Sequence, residues 1–225
     1  PVPDTGTCRI LTCSLPEKTS GQLIKQARKE RITINRLFDA ALLQSVNRHI
    51  YKETALAMRF FTFADLRPFL KPPQPAQVTG SCFSMMRFTA MVRPSLSLST
   101  LARQIQQQVY KALKRGDKFC AHLLSAAVMK MMLKTRSSRM GNTALSHMGG
   151  IDLKENYGDI RVRDLRVFTS NFVLGPEYTA QTRRFHNRFH WDIVYLTSDM
   201  DQHRAERIAH DIMESLTAFA QRSIK

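Results

Sequence analysis

The sequence predicts an α/β (α+β) fold, a mixed β-sheet flanked by helices. Three observations carry this. Apolar residues recur at helical spacing in two long stretches, Leu98, Leu101, Ala102, Ile105 and Val109 in one, Ile208, Ala209, Ile212, Leu216 and Phe219 in the other. Short β-leaning runs, bounded by Pro, Gly and Asn, lie between the helical stretches. At 225 residues, 43% of them hydrophobic, the chain can bury a proper core.

The elements follow in order. Residues 7–14 alternate weakly and read as a strand, and Ser14 with Glu17 three positions on fits a capping box with Pro16 in the first turn. Leu23, Ile24 and Ala27 then form one helical face. Thr33 can cap a second helix, whose Leu37, Phe38, Ala41 and Leu42 share a side. Residues 54–63 read as a strand, residues 68–75 with four prolines as a rigid non-helical connection, and residues 80–92 as a further strand. The 3.6-residue period begins at Leu98, and Gly116 ends that helix. Residues 119–134 are apolar nearly all round and predict a helix that is buried or lines a cavity. Strands are predicted at 143–151, 165–174, 178–185 and 188–196, the last two joined by a tight turn at His186-Asn187. Asp199 or Asp201 caps the final helix.

Charge is the loudest compositional fact: 34 Lys and Arg against 18 Asp and Glu, a formal net charge of +16. Residues 98–140 hold nine basic side chains and one acid, Asp117. Such a field attracts polyanions (nucleic acid, anionic lipid, a phosphorylated cofactor, an acidic protein), while a merely solvated basic face fits as well. Tyr110 and Phe119 are the only aromatics among those residues, which weakens a single-strand nucleic-acid reading. Cys8, Cys13, Cys82 and Cys120 show no metal-ligand spacing and read as reduced, buried thiols of a cytoplasmic protein. No apolar run reaches the ~18–20 residues of a membrane span. The chain starts Pro1-Val2-Pro3-Asp4, without Met, and is expected to be a piece of something longer.

Nucleotide-loop and nucleophile-elbow motifs do not occur. His186, His190 and Asp192 are close in sequence, but a turn at His186 spreads them, and no metal is expected. His210 with Glu214 and His49 with Glu53 read as exposed helix pairs, and His122 as a core histidine. Met129, Met131, Met132 and Met140 fit either core filling or a greasy acyl channel.

The order of segments resembles the second half of condensation-type acyltransferases, the superfamily of chloramphenicol acetyltransferase and of peptide-synthetase condensation domains, and looks closest to polyketide-associated and alcohol acyltransferases. Residues 31–46 (RITINRLFDAALLQSV), 63–70 (FADLRPFL), 79–84 (TGSCFS) and 144–151 (ALSHMGGI, with His147 where Asn is usual) carry the resemblance, with the closing hairpin and helix. It implies one lobe of the two-lobed fold of coenzyme-A-dependent acyltransferases, residues 1–225 being the C-terminal lobe. The family's H-H-x-x-x-D-G motif lies in the other lobe and is absent here: no two of the seven histidines are adjacent.

The resemblance also implies the chemistry. A histidine of the missing lobe takes a proton from an alcohol or amine, which attacks an acyl thioester of coenzyme A or of an acyl carrier protein's phosphopantetheine. No tightly bound cofactor is implied, and this chain alone is expected to be inactive. Ser146, His147 and Gly149 become candidates for the substrate tunnel and lobe interface, and Asp65 and Arg67 for an ionic tether of their loop. Lys111, Lys114, Arg115, Lys118, Lys134, Arg136 and Arg139 become a donor-attracting basic patch. Expected partners are the other lobe, a carrier protein or a lipid or alcohol acceptor, and a second copy through the exposed lobe face. The rival reading is a non-catalytic basic module that binds nucleic acid or an acidic protein.

Overall fold

In a computed structural model, which describes residues 6–52, 54–75, 78, 80–135 and 139–222, eight strands and five α-helices follow one another. The strands are β1 (Cys8–Ser14), β2 (Leu56–Asp65), β3 (Phe83–Val92), β4 (Thr143–Gly150), β5 (Asn156–Tyr157), β6 (Ile160–Arg161), β7 (Tyr178–Phe185) and β8 (Arg188–Leu196). The helices are α1 (Glu17–Lys29), α2 (Ile34–Ile50), α3 (Leu98–Arg115), α4 (Asp117–Thr135) and α5 (Gln202–Ala220). Six strands make one mixed sheet in the order β1-β8-β7-β4-β2-β3, and β5 and β6 pair as a separate ribbon. Strand β4 runs parallel to both neighbours, β2 and β7, while the remaining pairs of the large sheet are antiparallel.

Side-chain alternation divides the sheet into two faces. Met58, Phe60, Leu145, Tyr178, Ala180, Trp191 and Ile193 point to one face and share a core with residues of α1, α2, α3 and α5. Phe38 of α2 sits within it, edge-on to Phe189 at 5.2 Å and tilted against Trp191 at 4.8 Å. Phe61 and Ala144 point to the other face, where they cluster with Met140 and pack against Met85, Met129 and Met132.

The end signals act through backbone hydrogen bonds. Thr33 Oγ1 accepts from Arg36 N at 3.4 Å, and Asp201 Oδ1 from Arg204 N at 2.7 Å. Gly116 closes α3 in the left-handed region at φ 85°. His186 and Asn187 both take positive φ (45° and 61°), the conformation of a two-residue hairpin turn.

Three local expectations fail, each for a visible reason, and a fourth holds only in part. No capping box forms: Ser14 is still in β1, where its hydroxyl accepts from Arg188 Nη2 at 3.1 Å, and α1 begins after Pro16 without a side-chain cap. Residues 165–174 form no strand, because backbone N–H groups there donate to side chains: Val167 N to Asp192 Oδ2 at 2.8 Å and Asn171 N to Cys8 Sγ at 3.2 Å. His122 is exposed rather than in the core, its Nδ1 lying 3.2 Å from the Phe83 carbonyl. Helix α4 lines a cavity through Met129 but is not buried, since it lays only part of its surface on the sheet and leaves Leu123 79% and Met131 60% exposed.

Candidate functional site

The strands part at β4. Its pairing with β2 ends at Leu145, opposite Thr62, although β2 runs on to Asp65 against β3. Pairing with β7 continues to His147, opposite Thr182, and then slips to Gly150 opposite Arg184. Residues 146–150 therefore stand apart from β2 toward the carboxyl ends of the parallel strands, the end where open α/β sheets hold ligands. On the face away from α1 and α2 a cleft of about 660 Å³ opens here. Phe61, Phe63, Phe83, Met85, Met129 and Met140 give it an apolar wall. Ser146, Thr179 and Gln181 supply polar groups from β4 and β7.

His147 borders two spaces. It lines the cleft and also a cavity of about 410 Å³ bounded by Ile24, Ile32 and Gly149 on the helix-covered side. Its Nδ1 is 2.8 Å from Thr182 Oγ1, and its ring stands edge-on to Phe38 at 5.5 Å. Burial, and secondarily the Arg36 charge, push its pKa down to about 4, so the ring is neutral near pH 7. Arg36 is itself buried: Nη2 donates to Thr62 Oγ1 at 2.7 Å, and Nη1 lies 3.1 Å from Asp39 Oδ2. Burial raises the Asp39 carboxyl to about 7 against the opposing pull of Arg36. A buried arginine and carboxyl and a half-buried imidazole thus sit near the point where β2 and β4 separate.

The sequence-predicted residues distribute as follows. Ser146 and His147 line the cleft, while Gly149 lines only the second cavity. At φ 75°, with open space where a Cβ would stand, Gly149 is there for its backbone conformation. Asp65 and Arg67 both reach the cleft: Asp65 Oδ1 accepts from Arg67 N at 3.0 Å and Nη1 at 3.2 Å, and Arg67 Nη2 donates to the Val78 carbonyl at 3.1 Å. Met129 and Met140 line the cleft, and Met132 packs on the small cluster behind it.

The basic residues do not share one open surface. Lys111, Lys114 and Lys134 are exposed, and Arg115 is paired with Asp117 at 2.7 Å. Lys118 is buried with its Nζ over the Phe69 ring, 3.4 Å from the centroid. Arg139 donates to Asp199 through both terminal nitrogens, one at 2.8 Å, and Arg136 lies outside the described residues. His210 and Glu214 are an exposed pair at 3.4 Å, whereas His49 meets Asp211 at 3.7 Å, and Glu53 lies outside the described residues.

Sequence reasoning missed the cleft wall on β2 and β3, and also Arg36 and Asp39. Adjacent Phe60 and Phe61 were the signal for the wall, since neighbours in a strand face opposite ways and both sides of β2 had to be covered.

The family described as phthiocerol/phthiodiolone dimycocerosyl transferase C-terminus matches residues 5–200. Among solved structures, polyketide synthase associated protein 5 from Mycobacterium tuberculosis is similar with a TM-score of 0.70 at 12% identity, over 98% of this chain and 54% of that one. A trichothecene 15-O-acetyltransferase from Fusarium sporotrichioides gives 0.73 at 16% identity, over 96% and 48%. The epimerization domain from the third module of tyrocidine synthetase B gives 0.71 at 11%, over 98% and 50%. The chain spans about half the length of these structures. No curated protein matches the sequence.

Proposed function

The chain belongs to the family of phthiocerol/phthiodiolone dimycocerosyl transferase C-termini, an acyltransferase-type C-terminal domain, and on that premise we propose that it is one lobe of an enzyme moving an acyl group from a thioester to an alcohol or amine. The apolar cleft at the parted strands carries this reading. A hydrocarbon chain would gain from its aromatic and methionine wall, while Ser146 and the neutral His147 offer hydrogen bonds at one part of the lining. A second lobe supplies the histidine base, and coenzyme A or a carrier protein presents the thioester. This lobe contributes the acyl wall and alignment, with Asp65 and Arg67 tying the rim loop. Lys111 and Lys114, exposed on α3, and Lys134, exposed on α4, supply positive charge that draws an anionic donor.

A thiol-release assay tests the reading, comparing this chain with a protein in which a lobe bearing H-H-x-x-x-D-G precedes it. The chain alone should stay at the uncatalysed rate, since a general base typically contributes ~10²–10⁴-fold. Turnover by the isolated chain that a Ser146→Ala change abolishes would overturn it.

A further inference from the structure

Segment 162–177 crosses the cleft-bearing face of β7 and β8, with Val167 N anchored on Asp192 Oδ2. Its Thr169 and Phe172 line the cleft, whereas Arg163, Asp164 and Arg166 line a separate hollow of about 260 Å³. A further hollow of about 420 Å³ shares Arg163, Arg188 and His190 with it. Together they form a polar recess at the hairpin end of the sheet, on the same face as the apolar cleft and lined by different residues.

The recess has more positive charge than its own acids neutralise. Glu155 takes Arg161 at 2.7 Å, Asp164 takes Arg166 at 2.8 Å, and Asp192 takes the buried Arg183. Arg163 and Arg188 remain: Arg163 has no ion-pair partner among the described residues, and Arg188 reaches only the neutral Ser14 hydroxyl at 3.1 Å. Donors are left over as well. Arg183 is 1% exposed, and its Nε is buried without a hydrogen-bond partner among the described residues. His190 Nε2 is likewise buried without a partner among the described residues, and it donates when it carries the ring proton. A buried, partnerless donor on a guanidinium costs free energy unless something completes it. Burial and the Arg183 charge hold His190 below its ordinary pKa, while Asp164 and the Phe185 backbone pull the other way.

We propose that this recess binds a phosphate group, with Arg163 and Arg188 gripping it at the rim and Arg183 Nε and His190 Nε2 meeting it from the floor. A tetrahedral dianion matches the two unneutralised guanidiniums in charge. It also presents acceptors in several directions, as donors from β7, β8 and segment 162–177 require. The site rests on this geometry alone and stands or falls independently of the transfer reaction.

Titration of the 225-residue chain with inorganic phosphate, and separately with glycerol 3-phosphate as an organic phosphomonoester, tests it. Calorimetry gives the affinity, and the His190 ring resonances report the place. Saturable binding that moves the His190 signals is the expected result. The double variant R163Q/R188Q, altered only at exposed side chains, should weaken it at least about tenfold. The variant K25Q/K29Q, at exposed lysines of α1, should leave it unchanged. Binding of both probes assigns the recess to a phosphate ester, and binding of inorganic phosphate alone assigns it to the free ion. No saturable binding, or binding weakened equally by the lysine and arginine pairs, overturns the proposal.

Discussion

His147 Nδ1 and Thr182 Oγ1 meet at 2.8 Å across the last rung of the β4–β7 pairing before its register slips. The imidazole is fixed by a strand partner on one side and by Phe38 on the other. It is therefore a rigid, neutral group on the border of two cavities, suited to orienting a bound molecule by hydrogen bonding.

The first prediction concerns pH. The His147 pKa falls from 6.5 to about 4 on folding, so the unfolded chain binds the proton more tightly. Its effect on stability is therefore unfavourable at low pH and lifts as pH rises from 4 to 6.5. Asp39 works in reverse: with its pKa raised from 3.8 to about 7, it costs stability as pH rises through that range. Urea unfolding of the chain and of His147→Gln should give a stability difference that grows in the wild type's favour between pH 4 and 6.5, by about 3 kcal/mol at most, and is flat above. A difference independent of pH would show that His147 is solvated.

A second prediction concerns the cleft. Met85→Trp puts a larger ring against the apolar wall and shortens the room for a hydrocarbon. Affinity for a long-chain fluorescent acyl probe should drop at least about tenfold, each excluded methylene being worth ~0.8 kcal/mol. A short-chain probe should bind unchanged. Equal losses for both lengths would place the hydrocarbon elsewhere.

Self-association is the third. Leu123, Leu124 and Met131 of α4 are 79%, 57% and 60% exposed on one apolar helix. Contiguous apolar surface of this kind marks an interaction face. Sedimentation velocity should find the chain associating in a concentration-dependent way, and Leu123→Glu with Leu124→Glu should return it to monomer. A wild-type chain that stays monomeric at high concentration would count against such a face.

The fourth tests the buried pair of Arg183 and Asp192, each 1% exposed. Arg183→Met removes the guanidinium paired with the buried Asp192, leaves Val167 N as its hydrogen-bond donor, and should cost about 3–5 kcal/mol. Replacing both, as Arg183→Met with Asp192→Leu, should recover much of that loss. Denaturant unfolding of both variants reads the difference, and a mild single variant would mean water reaches the pair.

The sequence made α3 and α5 plain because each has a single apolar stripe, and the stripe is what packs. The β7–β8 hairpin was plain for a local reason as well, since the His186-Asn187 turn is set by two residues. Helix α4 misled because apolar residues all round normally mean burial all round, and here the sheet covers only part of it. Residues 165–174 alternate like a strand, yet Asp192 and Cys8 take the hydrogen bonds that a ladder would need. Ser146 and His147 were found through a short motif. Arg36 was not, because a charged residue early in a helix reads as surface until Thr62 and Asp39, 26 and 3 positions away, are seen to receive it.

Strand β1 has one partner in the sheet, β8, so that Cys8 lies opposite Leu196 and Ser14 opposite His190. Strand β1 therefore lacks its sheet partner until residues 188–196 exist. On a ribosome, nearly the whole of this sequence is synthesised while β1 waits, with Leu11 and Cys13 deprived of their core contacts. Closure of the sheet edge is a late event with a large loop entropy, which slows folding and lengthens exposure to aggregation. A nascent chain stalled before residue 188 should stay open to chaperones and proteases at β1, and release of the hairpin should seal it.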